Sequence, residues 1–209
     1  MKVLGISGSP RRAGNTDILV NTALDVLARE GLETEFLSLA DRPIKPCVAC
    51  RGCLASETIR CVQEDPAFEG ILDQFAAADA ILVGSPVYFG SATPQIMALL
   101  DRVGYVARKH PQLLRRKVGA AIVVARRAGQ NFTFAQLNFF FLINEMVVPG
   151  STYWNVAFGR EKGEVQNDAE GMDTVKNLAQ NMAWLMKRLG VGADPSPHQL
   201  RVEDERVQA

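Results

Sequence analysis

The stretch "KVLGISGSPRRAGNTD" (2–17) decides the fold. It opens on a short apolar run, 2–7, that stops at Gly8-Ser9-Pro10. A run of that kind, apolar on both faces, is a buried parallel strand, and the small residues behind it make a loop. From Thr16 onward Ile18, Leu19, Ala23, Val26 and Leu27 recur at helical spacing until Gly31 ends the pattern. The loop between strand and helix, 7–16, carries Ser7, Ser9, Pro10, Arg11, Arg12, Asn15 and Thr16. Backbone N–H groups at a helix N-terminus make an anion site there. A dinucleotide fingerprint G-x-G-x-x-G is absent, and a Walker A loop is excluded because Gly14-Asn15-Thr16 has no lysine. A loop lined by Ser, Asn and Thr suits a terminal monophosphate. A plain Ser/Pro/Gly turn with two solvated arginines is the competing reading, so this loop alone leaves its ligand open.

Working outward, "ETEFLSL" (33–39) reads as a second strand, and a helix is expected over 67–77. "AILVGSP" (80–86) is a third strand, again ending in Gly-Ser-Pro. "TPQIMALLDRV" (93–103) is a helix with proline near its start, and Asp101-Arg102 reads as an ion pair or cap at its end. "VGAAIVVA" (118–125) is a fourth buried strand, followed by a Phe-rich helix over 132–146. A fifth strand is expected within 147–156 and a last helix over about 170–189. Residues 1–190 then form one domain, and 191–209 are a polar tail expected to be poorly ordered. Strands alternating with helices give a doubly wound parallel sheet, whose ligand sits beyond the carboxyl ends of the strands. Two more strand-end loops meet that condition. One carries Pro86, Val87, Tyr88, Phe89 and Gly90, where aromatic groups flank a flat ring or merely pack the sheet edge. The other carries Ala125, Arg126, Arg127, Ala128 and Gly129, where the arginines hold anionic or carbonyl oxygens or are simply solvated.

All four cysteines lie within "CVACRGCLASETIRC" (47–61), as Cys47, Cys50, Cys53 and Cys61. A chain of 209 residues builds its core without a disulfide staple. The N-terminus has one lysine and a short apolar stretch, which is no signal peptide, so the protein reads as cytoplasmic. In that compartment metal binding or redox chemistry explains grouped thiols better than disulfides do.

Composition excludes several classes. Lys+Arg and Asp+Glu both count 23, so no net charge attracts nucleic acid or an anionic membrane. No apolar run approaches the roughly 20 residues of a membrane span. The two histidines, His110 and His198, have no nucleophile beside them in sequence, which disfavours hydrolysis. The Phe-rich stretch is apolar around much of its circumference, which suits core packing or a subunit interface.

Taken together, "GISGSPRRAGNTD", "ADAILVGSPVYFGSATPQIMALLDR" and "RRAGQNFTFAQLNFF" resemble the NADPH-dependent FMN reductase branch of the flavodoxin-like superfamily over about residues 1–155. The cysteine segment is similar to the compact motif of the iron–sulfur flavoproteins, which pair FMN with a [4Fe–4S] cluster. The resemblance implies a five-stranded parallel sheet of order 2-1-3-4-5 with a cysteine-rich loop, 46–62, inserted after the second strand. It implies an FMN phosphate at Ser7, Ser9, Pro10, Arg11, Asn15 and Thr16, with the ring against Pro86, Val87, Tyr88, Phe89 and Gly90. Ala125, Arg126, Arg127 and Gly129 stand opposite. It implies cluster ligation by Cys47, Cys50, Cys53 and Cys61, NAD(P)H as a donor, a homodimer or tetramer, and a small-molecule or ferredoxin-like redox partner.

The chemistry of the loop agrees, since cubane clusters take four thiolates from closely spaced cysteines. Lys45, Arg51 and Arg60 are at hand to offset the cluster's negative charge, and the span Leu54–Arg60 is expected to be a flexible surface loop. Structural zinc and free or redox-active thiols stay open, although zinc favours two separated Cys-x₂-Cys knuckles. The leading expectation is an FMN-dependent oxidoreductase carrying a cluster. Its rivals are a cluster-free NAD(P)H:FMN or quinone reductase and a non-enzymatic electron carrier or redox sensor.

Overall fold

The computed structural model describes residues 1–190. The sequence reading of the tail, 191–209, lies outside the described residues. Among the described residues five strands and five α-helices alternate: β1 (Lys2–Ser7), α1 (Asn15–Arg29), β2 (Glu33–Ser38), α2 (Ile71–Ala77), β3 (Ala80–Pro86), α3 (Pro94–Lys109), β4 (Val118–Ala125), α4 (Gln130–Ile143), β5 (Val156–Phe158) and α5 (Ala169–Leu189). All strand pairs are parallel, in the order β2-β1-β3-β4-β5. This is the flavodoxin-like topology expected from the sequence.

The strands sort their side chains to two apolar layers. Val3 of β1 and Ala120, Ile122 and Val124 of β4 face α1 and α5, among Leu19, Leu27, Leu178 and Met182. Leu4, Ile6, Ala121 and Val123 face the opposite layer, with Ile96, Leu99 and Val103 of α3 and Leu137 and Phe141 of α4. Every residue of β4 is buried, which is why its sequence is apolar without alternation.

Several boundaries differ from expectation; the Phe-rich helix, expected over 132–146, spans Gln130–Ile143. Residues 66–70 make turns rather than helix, because the Asp65 carboxylate takes the Ala67 N–H at 3.1 Å and Gly70 (φ 74°) opens α2 in a left-handed conformation. The third helix runs on to Lys109, six residues past the expected end. The fifth strand falls at Val156–Phe158, overlapping the expected span only at Val156; Val147 makes only an isolated bridge to Val118, and Pro149-Gly150 follows it. Among the described residues no helix is long and apolar enough to cross a membrane.

One buried amine gives the fold a pH signature. Lys117, just before β4, donates from Nζ to the carbonyls of Phe75 (2.6 Å) and Ala76 (3.0 Å), closing the carboxyl end of α2. Burial lowers its pKa from the ordinary 10.5 to about 8, against the pull of Asp79. The unfolded chain therefore holds the Lys117 proton more tightly than the native state does between these values. Its contribution to stability rises with pH through the window from about 8 to 10.5. Urea unfolding across that window should show the rise in wild type and a smaller one in Lys117→Met.

Candidate functional site

The order in which strands are added reverses between β1 and β3, and the loops behind these strands are locked together. The Gly8 N–H donates to the Gly84 carbonyl at 2.8 Å. Thr93, the N-cap of α3, donates from Oγ1 to the Gly8 carbonyl at 2.6 Å, and its own N–H donates to Ser85 Oγ at 3.1 Å. The crevice at such a switch point is where doubly wound sheets bind ligands.

A cavity of about 310 Å³ opens here. Ser9, Arg11, Asn15, Thr16, Pro86, Val87, Tyr88 and Arg126 line it, joined by Val124 and the Gly159–Glu161 segment. Its size is at the lower end for small-molecule sites. Gly14, the N-cap of α1, makes no side-chain cap, and among the described residues nothing accepts from the Asn15, Thr16 and Asp17 N–H groups. Those three donors and the positive end of the helix dipole point to an anion, with Arg11, Arg126 and Arg160 around them. The cradle fits a phosphate.

Individual predicted residues take different parts. Ser7 is buried and does not line the cavity; its hydroxyl donates to Asp17, and its Oγ accepts from the Ser9 N–H at 3.4 Å. Ser9 Oγ accepts the Arg11 N–H at 3.1 Å. Asn15 spends its amide on the far wall: Nδ2 donates to the Glu161 carbonyl (2.9 Å), and Oδ1 accepts from the Gly163 N–H (2.8 Å). Pro10, Phe89, Gly90, Ala125, Arg127 and Gly129 stand outside the lining, although Gly129 holds two loops together. A side chain there would meet Val87 Cγ1 at 2.8 Å, in a backbone (φ 87°) that favours glycine. Phe89 (φ 50°) and Gly90 (φ 80°) form the tip of a two-residue hairpin closed by Tyr88 and Ser91. Phe89 is fully exposed on this strained turn.

Sequence reasoning missed two contributors. Asp17 braces the loop between β1 and α1 from beneath, taking the Ser7 hydroxyl on Oδ1 and the Ala13 N–H (2.7 Å) on Oδ2. Its position in the first turn of α1 was the available signal. The Gly159–Glu161 wall follows β5, so misplacing that strand hid it. Gly159 is required there, because a Cβ would stand 2.7 Å from Asn15 Nδ2. A larger groove of about 980 Å³ beyond Arg12 and Ala13 mixes Arg12, Arg42 and Lys45 with Asp17, Asp41 and Asp65, so it is not an anion cradle.

The cysteine loop follows β2 and packs against α3. Cys53 is buried, Cys50 exposed, and Cys47 and Cys61 lie between. Burial raises the Cys53 thiol above its usual range, and the sulfurs of Cys61, Cys47 and Cys50 add to that. The four thiols thus share one neighbourhood. Ala49 (φ 52°) and Arg51 (φ 59°) adopt left-handed conformations that curl the backbone, and the Ala49 N–H approaches Cys47 Sγ at 3.5 Å. Among the described residues no three metal-binding side chains close on a single ion. A cubane takes one thiolate on each of its four irons, and four cysteines in one segment are the kind and number of donors it needs.

The span Leu54–Arg60 is tied down more than a detached surface loop. Leu54, Ile59 and Cys61 pack against the core layer that contains Cys53, Ile44 and Phe68, and His110 Nε2 pairs with the Ser56 carbonyl at 3.2 Å. Arg102 is not a helix-end partner of Asp101. Its buried guanidinium instead pairs with Asp65, 3.8 Å from the centre of the Phe68 ring. Burial alone would raise the Asp65 carboxyl, but the Lys45 N–H, Arg102 and the Ala67 N–H hold it below the usual carboxylate range.

Fold and strand order define a flavodoxin-like protein with a cavity at the carboxyl ends of β1 and β3. The family described as NADPH-dependent FMN reductase matches residues 1–161, and the chain belongs to that family. It is therefore an FMN-dependent oxidoreductase. It is similar to an iron–sulfur flavoprotein of Methanocaldococcus jannaschii, 42% identical over 90% of this chain and 98% of the relative. An iron–sulfur flavoprotein of Methanosarcina thermophila is 33% identical over 93% of this chain and all of the relative. Among solved structures, a flavodoxin from the domain Archaea shares the fold, with a TM-score of 0.59 and 16% identity over 90% of this chain and 99% of that one.

Proposed function

We propose that this protein passes electrons between a reduced donor, NAD(P)H or a ferredoxin-like protein, and an acceptor, by way of FMN and a [4Fe–4S] cluster. The observation that carries the reading is the pairing, in one chain of this family, of an unfilled set of helix N–H donors at the switch point with four thiols in one curled loop. The names of the two archaeal relatives support the cluster.

In this reading the N–H groups of Asn15, Thr16 and Asp17 hold the FMN phosphate, with the Ser9 and Thr16 hydroxyls and Arg11 around it. Ser7 and Asn15 act mainly by bracing, one through Asp17 and the other through the 161–163 segment. Pro86, Val87 and Tyr88 flank the ring, with Arg126 on the facing loop. Phe89, on its exposed tip outside the cavity lining, would stand at the ring's open edge. Cys47, Cys50, Cys53 and Cys61 are the cluster ligands, and a reducing cytoplasm keeps them available. When bound, FMN exchanges a hydride or single electrons, and a cluster passes electrons singly. No side chain need act as acid or base. Tyr88→Ala should shift the flavin absorption bands or weaken flavin binding, and spectra and affinity both unchanged would move the ring elsewhere.

The reading extends to assembly as a homodimer or tetramer. Phe132, Phe139, Leu142 and Ile143 of α4 stand exposed beside Tyr153 and Trp154, an apolar surface of the kind that subunits cover. Light scattering at micromolar protein should return at least twice the chain mass of 22.8 kDa. A monomer mass contradicts the assembly.

Mixing the anaerobic holoprotein with NADPH or NADH in a stopped-flow spectrometer tests the enzyme reading. Bleaching of the flavin bands at a saturable rate, with turnover once an acceptor is added, is expected. Absence of bleaching with either nucleotide leaves the electron-carrier role in its place.

A further inference from the structure

We propose that Arg102 is the positioning residue of the cysteine loop, clasping its two limbs together and presenting a charged N–H donor to the Cys61 sulfur. This rests on the reading of that loop as a cluster site.

The geometry is specific. Nη1 donates to Asp65 and approaches the Lys45 carbonyl at 3.4 Å. Nη2 donates to the Gln63 carbonyl at 3.1 Å and approaches Cys61 Sγ at 3.4 Å. Lys45 precedes the first cysteine, whereas Cys61, Gln63 and Asp65 form the returning limb. One planar fork therefore gathers the entry and the exit of the cysteine segment. Lysine has a single nitrogen and cannot span both limbs. The Lys45 N–H donates to the same Asp65 carboxylate at 2.9 Å, which draws the limbs together a second time.

Stability alone does not explain a full charge at this place. The Arg102 side chain is completely buried and that of Asp65 nearly so, and an apolar pair of similar size commonly serves a core at least as well. What an apolar pair cannot supply is a donor aimed at sulfur. The cations expected from the sequence do not take this part: Lys45, Arg51 and Arg60 are exposed, and Lys45 Nζ turns to the Glu64 carbonyl at 3.0 Å. Hydrogen bonds to ligand sulfurs raise a cluster's reduction potential, because they favour the more negative reduced state.

The test uses the full chain as wild type, Arg102→Lys, and the charge-balanced double variant Arg102→Met/Asp65→Asn. In metal-free protein, amide hydrogen exchange at Lys45, Leu54 and Ser56 should quicken in both variants while amides of β4 keep their protection. After anaerobic reconstitution with iron and sulfide, the cluster of either variant, at equal iron content, should be harder to reduce. A shift of about tenfold in the reduction equilibrium, about 59 mV for a one-electron couple, is expected in an EPR-monitored titration. Unchanged exchange in the loop overturns the clasp, and an unchanged potential at equal iron overturns the donor role. Failure of wild type to take up iron contradicts the cluster reading alone, because the exchange arm is read on metal-free protein.

Discussion

Asp65→Ala should destabilise the fold by about 3–5 kcal/mol, the loss typical when one partner of a buried ion pair is removed. The Arg102 guanidinium would then stand in the core with its Nε already unpaired among the described residues and its carboxylate gone. For a domain of this size the melting temperature falls by roughly 2–4 °C per kcal/mol. Differential scanning calorimetry of the flavin-loaded protein reads the effect, and Asp65→Asn, which keeps an acceptor oxygen, should lose less. A change below about 1 kcal/mol would mean that water reaches Arg102, and the pair would then be an ordinary surface bridge.

The second large effect concerns the cofactor. Asn15→Ala combined with Thr16→Ala removes the strut to the 161–163 segment and one cradle hydroxyl. Interactions with a charged group contribute about 1.5–3 kcal/mol, so FMN affinity should fall about a hundredfold, at 1.4 kcal/mol per tenfold. Quenching of free FMN fluorescence on titration with apoprotein measures this directly. The far-ultraviolet circular dichroism should stay that of wild type, since both residues lie in the first turn of α1, ahead of Leu19, Val20, Ala23, Leu24 and Leu27, which seat the helix on the sheet. Unchanged affinity would move the phosphate away from this loop.

The parallel sheet was legible because β1, β3 and β4 are compact apolar runs closed by a turn or a polar segment, and such runs have few alternatives, while β2 alternates. The loop between β1 and α1 was legible because Gly-Ser-Pro at a strand end and Asn-Thr at a helix start belong to local chemistry. What sequence reading missed is non-local. Arg102 and Asp65 are 37 residues apart, and no local pattern marks them as a pair, so the arginine looked like a helix-end charge. The fifth strand was misplaced because the apolar residues 146–148 mimic a strand, while the segment that joins β4 is only three residues long. With it went the Gly159–Glu161 wall. Asp17 escaped notice because an acid beside an anion site is unexpected until its carboxylate is seen turned inward to Ser7 and Ala13.

The span Leu54–Arg60, expected as a flexible surface loop, is instead packed on the core through Leu54 and Ile59. Cys53 sits in the core layer, and Leu54 and Ile59 pack onto it, so metal loss should loosen the loop without releasing it. Structural zinc and a cubane then differ in a single stoichiometry. Anaerobic reconstitution with iron and sulfide, followed by removal of unbound metal and analysis of iron, acid-labile sulfide, zinc and flavin on the same sample, separates them. About four irons and four sulfides per chain are expected, the content of one cubane, together with one FMN and no zinc. Flavin-loaded protein that takes up zinc, or no metal at all, under these conditions would contradict the pairing of FMN with a cluster.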